Sequence, residues 1–431
     1  MHVRVNTDNT DFFSQQMERV FGSAPPTLLV VGDAVAPTGF ATVIHAILGK
    51  LSPAYDIHHL GINYSGDPHT NQWKIYPASI AGDVFGVNRL DAMIEQIRPR
   101  LVFIVNDLWI LLRYCKAIER CSYRPVVCTY LPIDAAPVEP SALAQIAGVA
   151  DCMVAYTKFG ENELRWSLRQ ALQQAHPTAP RLEVIPHGVD VATFHPLPAR
   201  TMAERRRKAR ALFFPDRSDL HDAFIVLNAN RNQPRKRIDL TLEGFALFAR
   251  DKPDARLYLH MAREDLGWDV KLLAGRWGIS HQVILADDGN NLPALTRDKL
   301  NLLYNACDVG LNTSCQEGWG LVSFEHAATG AAQIVPRHTT QIELWEGAAE
   351  LVAAPHRLTV ERVLTTAHFV DPACVARALD RLYGDPVYLQ KMSIAAQSRA
   401  TQRAYNWGTI ARQWDALFKD LMSSRNASHR P

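Results

Sequence analysis

The sequence predicts an α/β protein made of two doubly wound, Rossmann-like domains, and three observations carry that prediction. The chain has 431 residues, too many for one ordinary core and about right for two domains of roughly 200 residues each. Short apolar runs alternate with stretches of helical periodicity, the pattern of parallel strands covered on both faces. That rhythm breaks once, in "RLEVIPHGVDVATFHPLP" (residues 181–198), and then restarts.

The elements follow in order. "TLLVVGD" (27–33) is a buried strand; after "AVAPTG", Phe40, Val43, Ile44, Ile47 and Leu48 recur at helical spacing. "LVFIV" leads into "NDLW", "PVVCTYL" into "PID", and "CMVAYT" into the helical "KFGENELRWSL". One last strand and a His-Gly turn place the domain junction near residue 190, so that 1–190 form the first domain and 191–404 the second. The second half restarts with "AFIVLNANR", "ARLYLHMA", "QVILAD", "DVGLNTS" and "AAQIVP". A final amphipathic helix, about 405–424, carries Trp407, Ile410, Trp414 and Leu417.

Composition narrows the function classes. Apolar residues make up 47% and charged residues 21%, near the average of folded globular proteins. A net charge of +2 supplies no global field toward nucleic acid or an anionic membrane. The first 26 residues lack the apolar core of a signal peptide, and no apolar run approaches about 18 residues, so a cytoplasmic protein without an integral membrane segment is expected. Seven cysteines, an odd number with no CxxC pair, argue against a disulfide framework and a zinc knuckle; buried thiols are expected.

The chemistry concentrates in "EGWGLVSFE" (317–325), two carboxylates around a glycine-rich turn. The turn joins the strand "DVGLNTS" to the helix "LVSFEHAATG", at the sheet edge where open α/β sheets place their ligands. Without side chains at Gly318 and Gly320, a ligand can approach the backbone amides at the helix start, which favour a phosphate. Glu325, one turn deeper, can only accept hydrogen bonds when ionised, which suits a ribose diol. Glu317 can accept from sugar hydroxyls. Both acids are expected to be partly solvated. The plain alternative is a solvated helix residue and a cap neighbour. Positive charge comes from "NRNQPRKRIDL", where Arg231 follows a strand and Lys236 comes five residues later; an ordinary basic loop is the competing reading.

Together "VIPHGVDVATFHP", "NRNQPRKRIDL" and "LYNACDVGLNTSCQEGWGLVSFEHAATG" resemble the family-4 retaining glycosyltransferases of the GT-B fold, over about residues 27–417. The resemblance implies two Rossmann-like domains facing each other across a cleft, the last helix crossing back to complete the first. It implies a nucleoside-diphosphate sugar as donor substrate, with no cofactor and no metal. Arg231 and Lys236 match the pair on the donor diphosphate, Glu325 the acid on the ribose, and Glu317 the acid near the transferred sugar. Gly318, Trp319, Gly320 and Leu321 lend backbone contacts, and "PTGFAT" faces the diphosphate through Gly39 and Phe40. Family members often carry a histidine or acid after the strand that here reads "VVCTYLPID"; Asp134 is the candidate replacement, with a turn residue as the alternative.

The reaction implied is hexosyl transfer with retention. Breaking a sugar–phosphate bond puts negative charge on the leaving nucleotide, and preorganised cations and helix amides stabilise it. No Asp-x-Asp triplet, a frequent metal-holding pattern, occurs in the chain. A sugar-nucleotide epimerase of similar architecture and a nucleotide-sugar binder without catalysis remain open alternatives. Acceptor class (saccharide, lipid carrier, protein or modified nucleic acid) and oligomeric state are left open. The basic stretch "ERRRKARALF" (204–213 and Phe214 beyond its end) is read as the solvated face of a short helix, and His187 as a turn residue at the domain joint.

Overall fold

The computed structural model describes residues 24–80, 82–172, 179–286, 294–361 and 363–428. Among them lie two parallel sheets. The first contains β1 (Thr27–Asp33), β2 (Asp56–Ile62), β3 (Lys74–Pro77), β4 (Leu101–Val105), β5 (Val126–Tyr130), β6 (Cys152–Ala155) and β7 (Arg181–Val184), in the order β3-β2-β1-β4-β5-β6-β7. The second contains β8 (Phe224–Asn228), β9 (Ala255–Leu259), β10 (Val283–Leu285), β11 (Val309–Leu311), β12 (Ala332–Pro336) and β13 (Glu350–Val352), in the order β10-β9-β8-β11-β12-β13. A short antiparallel hairpin, β14 (His356–Thr359) and β15 (Thr366–Phe369), follows. Both large sheets therefore have the doubly wound order, with strand direction of travel reversing beside β1 and beside β8.

Helices cover both faces. In the first half they are α1 (Gly39–Leu51), α2 (Val87–Ile97), α3 (Leu108–Glu119), α4 (Pro140–Ala147) and α5 (Lys158–Leu172). In the second they are α6 (Met202–Phe213), α7 (Ile238–Ala249), α8 (Val270–Arg276), α9 (Arg297–Ala306), α10 (Leu321–Ala328), α11 (Thr339–Trp345), α12 (Pro372–Gly384) and α13 (Pro386–Ala400). The central strands are buried on both sides, which is why β4 reads as an unbroken "LVFIV". β2 and β3 are strands that the apolar-run reading passes over, because His58 and His59 interrupt "DIHHLGI".

The last helix, α14 (Trp407–Ser428), packs on the first half of the molecule. Trp414 is fully buried, 4.7 Å from the Phe103 ring and 4.8 Å from that of Tyr130, and Tyr55 donates a hydrogen bond to Asp415 at 2.8 Å. The chain passes between the two sheets beside the start of this helix. A Cβ on Gly188 would stand 2.8 Å from Trp407 Cδ2 and 2.9 Å from Tyr405 O, so the His-Gly turn has room only for glycine. Six of the seven cysteines are buried and all are free thiols. Among the described residues no helix is long and apolar enough to cross a membrane.

The basic stretch in α6 corrects the sequence reading. Arg206 and Arg210, one turn apart, are buried and converge on Asp308 at 3.0 and 2.5 Å, just before β11. Only the other face of α6 is solvated. Asp308 also accepts the Ile225 amide of β8, so the cluster ties α6 to the centre of the second sheet. Replacing Asp308 by Asn leaves two buried guanidinium groups without their anion, and urea unfolding should show a loss of about 3–5 kcal/mol. Arg207→Ala, on the exposed face, should change stability by less than about 0.5 kcal/mol.

Candidate functional site

The second sheet reverses between β8 and β11, and the loops leaving their carboxyl ends carry the residues picked out from the sequence. Lys236, at the end of the loop after β8, and Glu317, in the loop after β11, form a buried ion pair through Nζ and Oε2. Ser314 Oγ donates to the same carboxylate at 3.2 Å, and Arg235 Nη1 stands 3.8 Å from its other oxygen. Burial works to raise the Glu317 carboxyl, but the charges of Lys236 and Arg235 outweigh it and hold it below its ordinary value. Burial, opposed by Glu317, pulls Lys236 below its ordinary value. Glu317 is only 6% exposed, so the expectation of a partly solvated acid is corrected. The lysine supplied 81 residues upstream makes its burial affordable.

The glycine turn is held rigidly. Thr340 Oγ1 donates to the Glu317 carbonyl and Gln341 Nε2 to the Trp319 carbonyl at 3.1 Å, both from α11. Gly320 has φ +91°, a conformation that turns the strand exit into α10 and that glycine adopts without strain. Among the described residues no acceptor faces the amides of Gly318, Trp319, Gly320 or Leu321. Trp319 itself is core: its ring stacks 4.8 Å from Phe324 and lies 5.4 Å from His187.

The first half of the molecule closes on this turn. A Cβ at Gly39 would lie 3.4 Å from Leu321 Cδ1, so the N-termini of α1 and α10 oppose each other. Phe40, half-buried, packs against the large core cluster. Thr38 caps α1 by accepting from the Ala41 amide at 3.1 Å and donates to Asp33.

The two expected phosphate cations separate. Lys236 points inward, whereas Arg231 lies at the rim with its guanidinium on Asp265, at 2.9 and 3.2 Å. Arg235, not singled out from the sequence, is the second cation beside Glu317; its place next to Lys236 in "PRKR" was the available signal. Asp134, half-buried, lies within the field of Arg235, Glu317 and Lys236; burial raises its carboxyl, against Arg235. Asp107, at the start of α3, was also missed. Burial, reinforced by Asp134 and opposed by Arg235, pushes it up to about 6.

Glu325 lies apart from this cluster, one turn into α10. It lines a cavity of about 1050 Å³ between the two halves, with Arg297, Asp190, Trp407, His45 and the segment after β1. Tyr304 donates to it at 3.4 Å. Burial pushes its carboxyl up to about 7, against the charge of Arg297. Among the described residues no group of three or more His, Cys, Asp or Glu side chains is placed to hold a metal ion.

The Glu325 shift has a stability consequence. Its folded value, about 7, lies above its ordinary 4.5, so the folded protein holds this proton where the unfolded chain has lost it. Stability from this group is complete below pH 4.5 and is lost as pH rises through about 7. Denaturation at a series of pH values should show that decline, and Glu325→Gln should flatten it.

No protein-family model matches the chain. It is 28% identical over 298 residues to a protein of Kineococcus radiotolerans named D-inositol 3-phosphate glycosyltransferase, covering 66% of this chain and 60% of that one. It is 25% identical over 288 residues to a protein of the same name from Streptomyces avermitilis, covering 66% and 54%. The matched region thus spans between about half and three fifths of these relatives. Among solved structures, a sucrose-phosphate synthase from Thermosynechococcus elongatus superposes with a TM-score of 0.69 at 16% identity, over 93% of this chain and 100% of that one. The Anabaena protein HepE, in complex with UDP and glucose, gives 0.67 at 15%, over 92% and 100%. An α,α-trehalose 6-phosphate synthase from Burkholderia multivorans gives 0.67 at 14%, over 95% and 99%. The chain has the GT-B fold, and its sequence relatives are named as glycosyltransferases, as the three motifs implied.

Proposed function

We propose that the chain is a retaining glycosyltransferase that moves a hexosyl group from a nucleoside-diphosphate sugar to an acceptor hydroxyl, without a metal ion. The observation that carries this reading is the buried Lys236–Glu317 pair beside the unpartnered amides of Gly318 to Leu321. A lysine ammonium has three donors. One is spent on Glu317, and the others are free to meet a diphosphate seated at the start of α10. Arg231, released from Asp265, adds a second cation at the rim.

In this reading the charge of the leaving diphosphate is met by Lys236, Arg231 and the helix amides, and the α1 terminus at Gly39 faces it from the other side. Glu317 sits where the sugar would lie; its carboxylate, kept ionised by two cations, orients sugar hydroxyls and opposes the positive charge developing at the anomeric carbon. Glu325 takes the ribose diol. That HepE was solved with UDP and glucose supports a uridine nucleotide as the first donor to try. Retention is supported by the likeness to the retaining family in motif order, and a cytoplasmic location by the free, buried thiols.

The test is turnover of UDP-glucose and a panel of other nucleotide sugars with mixed acceptors. A transferase releases free nucleoside diphosphate when an acceptor is present, an epimerase yields a new nucleotide sugar, and a binder yields neither. Activity should persist in excess chelator; loss reversed by magnesium or manganese would overturn the metal-free reading. Arg231→Ala and Lys236→Ala should each lower turnover by about 100-fold or more. Arg231→Ala is the cleaner variant, because its side chain is 45% exposed, whereas Lys236 is buried against the buried Glu317. Glu325→Gln should chiefly raise the donor KM, and Glu317→Gln chiefly lower kcat. Since Glu325 must be ionised to accept from two hydroxyls, donor affinity in the wild type should weaken as pH falls below about 7.

A further inference from the structure

On the reading above, we propose that the turn Asn106, Asp107 and Trp109, together with Asp134 and Tyr156, forms the acceptor subsite and takes an uncharged saccharide. Its hydroxyls would bind the two carboxylates and its ring face would lie on Trp109.

Position is the first argument. The first sheet reverses beside β1 and β4, and the Asn106–Trp109 turn leaves the carboxyl end of β4 at that reversal. Val105 pairs with Tyr130 and Tyr130 with Val154, so Asp107, Pro132 and Tyr156 all lie two residues beyond one row of the sheet. The Glu317–Gly320 turn rests on this edge: a Cβ at Gly318 would be 3.4 Å from Pro132 Cβ and 3.7 Å from Tyr156 Cδ2. A group held here is next to the place assigned to the transferred sugar.

Unmet hydrogen bonding is the second. Asp107 occupies the N-cap position of α3 but its carboxylate caps nothing, and among the described residues the Asp134 carboxylate is engaged only by its own backbone amide. Beside them Tyr156 is 5% exposed with a hydroxyl that has no partner, although the phenol lies within the field of both acids. Its neighbour Tyr130 is bonded to Ile185 O at 2.8 Å and His187 Nδ1 at 2.7 Å, so of these two adjacent phenols Tyr156 is the one left without a partner. A buried hydroxyl without a partner is costly. A hydroxyl-rich ligand shared with the two carboxylates would satisfy it.

Trp109 supplies the third. It is 53% exposed, yet its ring is held edge-on against Phe85 at 5.4 Å, and Phe85 is fixed by the Tyr114 hydroxyl and by Arg113 over its ring. A rigid, flat apolar face two residues beyond Asp107 suits the C–H face of a sugar ring. Charge then selects among sugars. Asp33, Asp107 and Asp134 act on this edge together, and only Arg235 of the opposite domain opposes them in the field at Asp107. A phosphorylated or polyanionic acceptor would be repelled.

The experiment uses the full chain with UDP-glucose as donor and measures UDP release with methyl α-glucoside, trehalose and myo-inositol, and with glucose 6-phosphate and inositol 1-phosphate. Binding of UDP-glucose and its slow hydrolysis are recorded first. We expect at least one neutral compound to accelerate UDP release and its phosphorylated counterpart to do so less. Asp107→Asn and Trp109→Ala should each raise the acceptor KM by about tenfold or more, with the Kd for UDP and the Tm unchanged. Asp107→Lys should shift preference toward the phosphorylated compounds. Acceleration only by phosphorylated compounds, no acceleration by any neutral one, or an unchanged acceptor KM in both variants overturns the subsite while leaving the transferase reading intact. If UDP-glucose is neither bound nor cleaved, the transferase reading falls and this one with it.

Discussion

A lysine and a glutamate taken out of water at the centre of a sheet edge set the terms for the rest of the site. Each ion costs several kcal/mol to desolvate, and an apolar pair of similar volume would often be no less stable. The pair at Lys236 and Glu317 therefore needs both its mutual attraction and its supports. Parallel pairing of β8 with β11, Val226 beside Val309, brings the two loops together across the chain. Ser314 and Arg235 take up further lone pairs and charge, while Thr340 and Gln341 pin the carbonyls of the glycine turn. With its carbonyls anchored, the turn presents its amides outward. The anion site proposed at α10 rests on how the buried pair is held.

The turn is also fastened to the other domain. From Trp345 through Phe324 and Trp319 to His187, and on to Tyr130 and Trp414, ring centroids lie between 4.6 and 5.4 Å apart. This aromatic seam runs from the second sheet to the last helix on the first. His187 is its joint. Burial pushes it down to about 3, so it is neutral, and the Tyr130 hydroxyl has one proton, which goes to the Ile185 carbonyl. His187 therefore carries its proton on Nδ1 and donates to that hydroxyl. The histidine read from the sequence as a turn residue at the domain joint thus has its Nδ1 committed to the seam.

What was legible in the sequence was what local pattern encodes. Buried strands such as "LVFIV" announce themselves by an unbroken apolar run, and Gly318 and Gly320 by their place between strand and helix. β2 was passed over because two histidines, buried here through contacts with Tyr76 and the Gly32 carbonyl, look polar in isolation. The burial of Arg206 and Arg210 depends on Asp308, about a hundred residues away, and no window of helical periodicity contains it. The same holds in the site. Arg231 and Lys236 share a spacing, but their surroundings send one to Asp265 and the other to Glu317. Asp107 had no motif at all; its neighbours come from three other strands.

The two sheet reversals face each other with opposite charge. Arg235 and Lys236, partly offset by Glu317, lie on the second domain, and Asp33, Asp107 and Asp134 on the first, although the whole chain carries only +2. Neither patch is visible as a global field, because they nearly cancel at a distance. Within the low-dielectric cleft they do not cancel but add, since both orient a dipole the same way. In the proposed reaction the leaving diphosphate gains negative charge on the cationic side while the anomeric carbon gains positive charge toward the carboxylates. Bond breaking thus moves charge along a field that exists before the substrate arrives, which lowers the barrier without requiring the protein to reorganise.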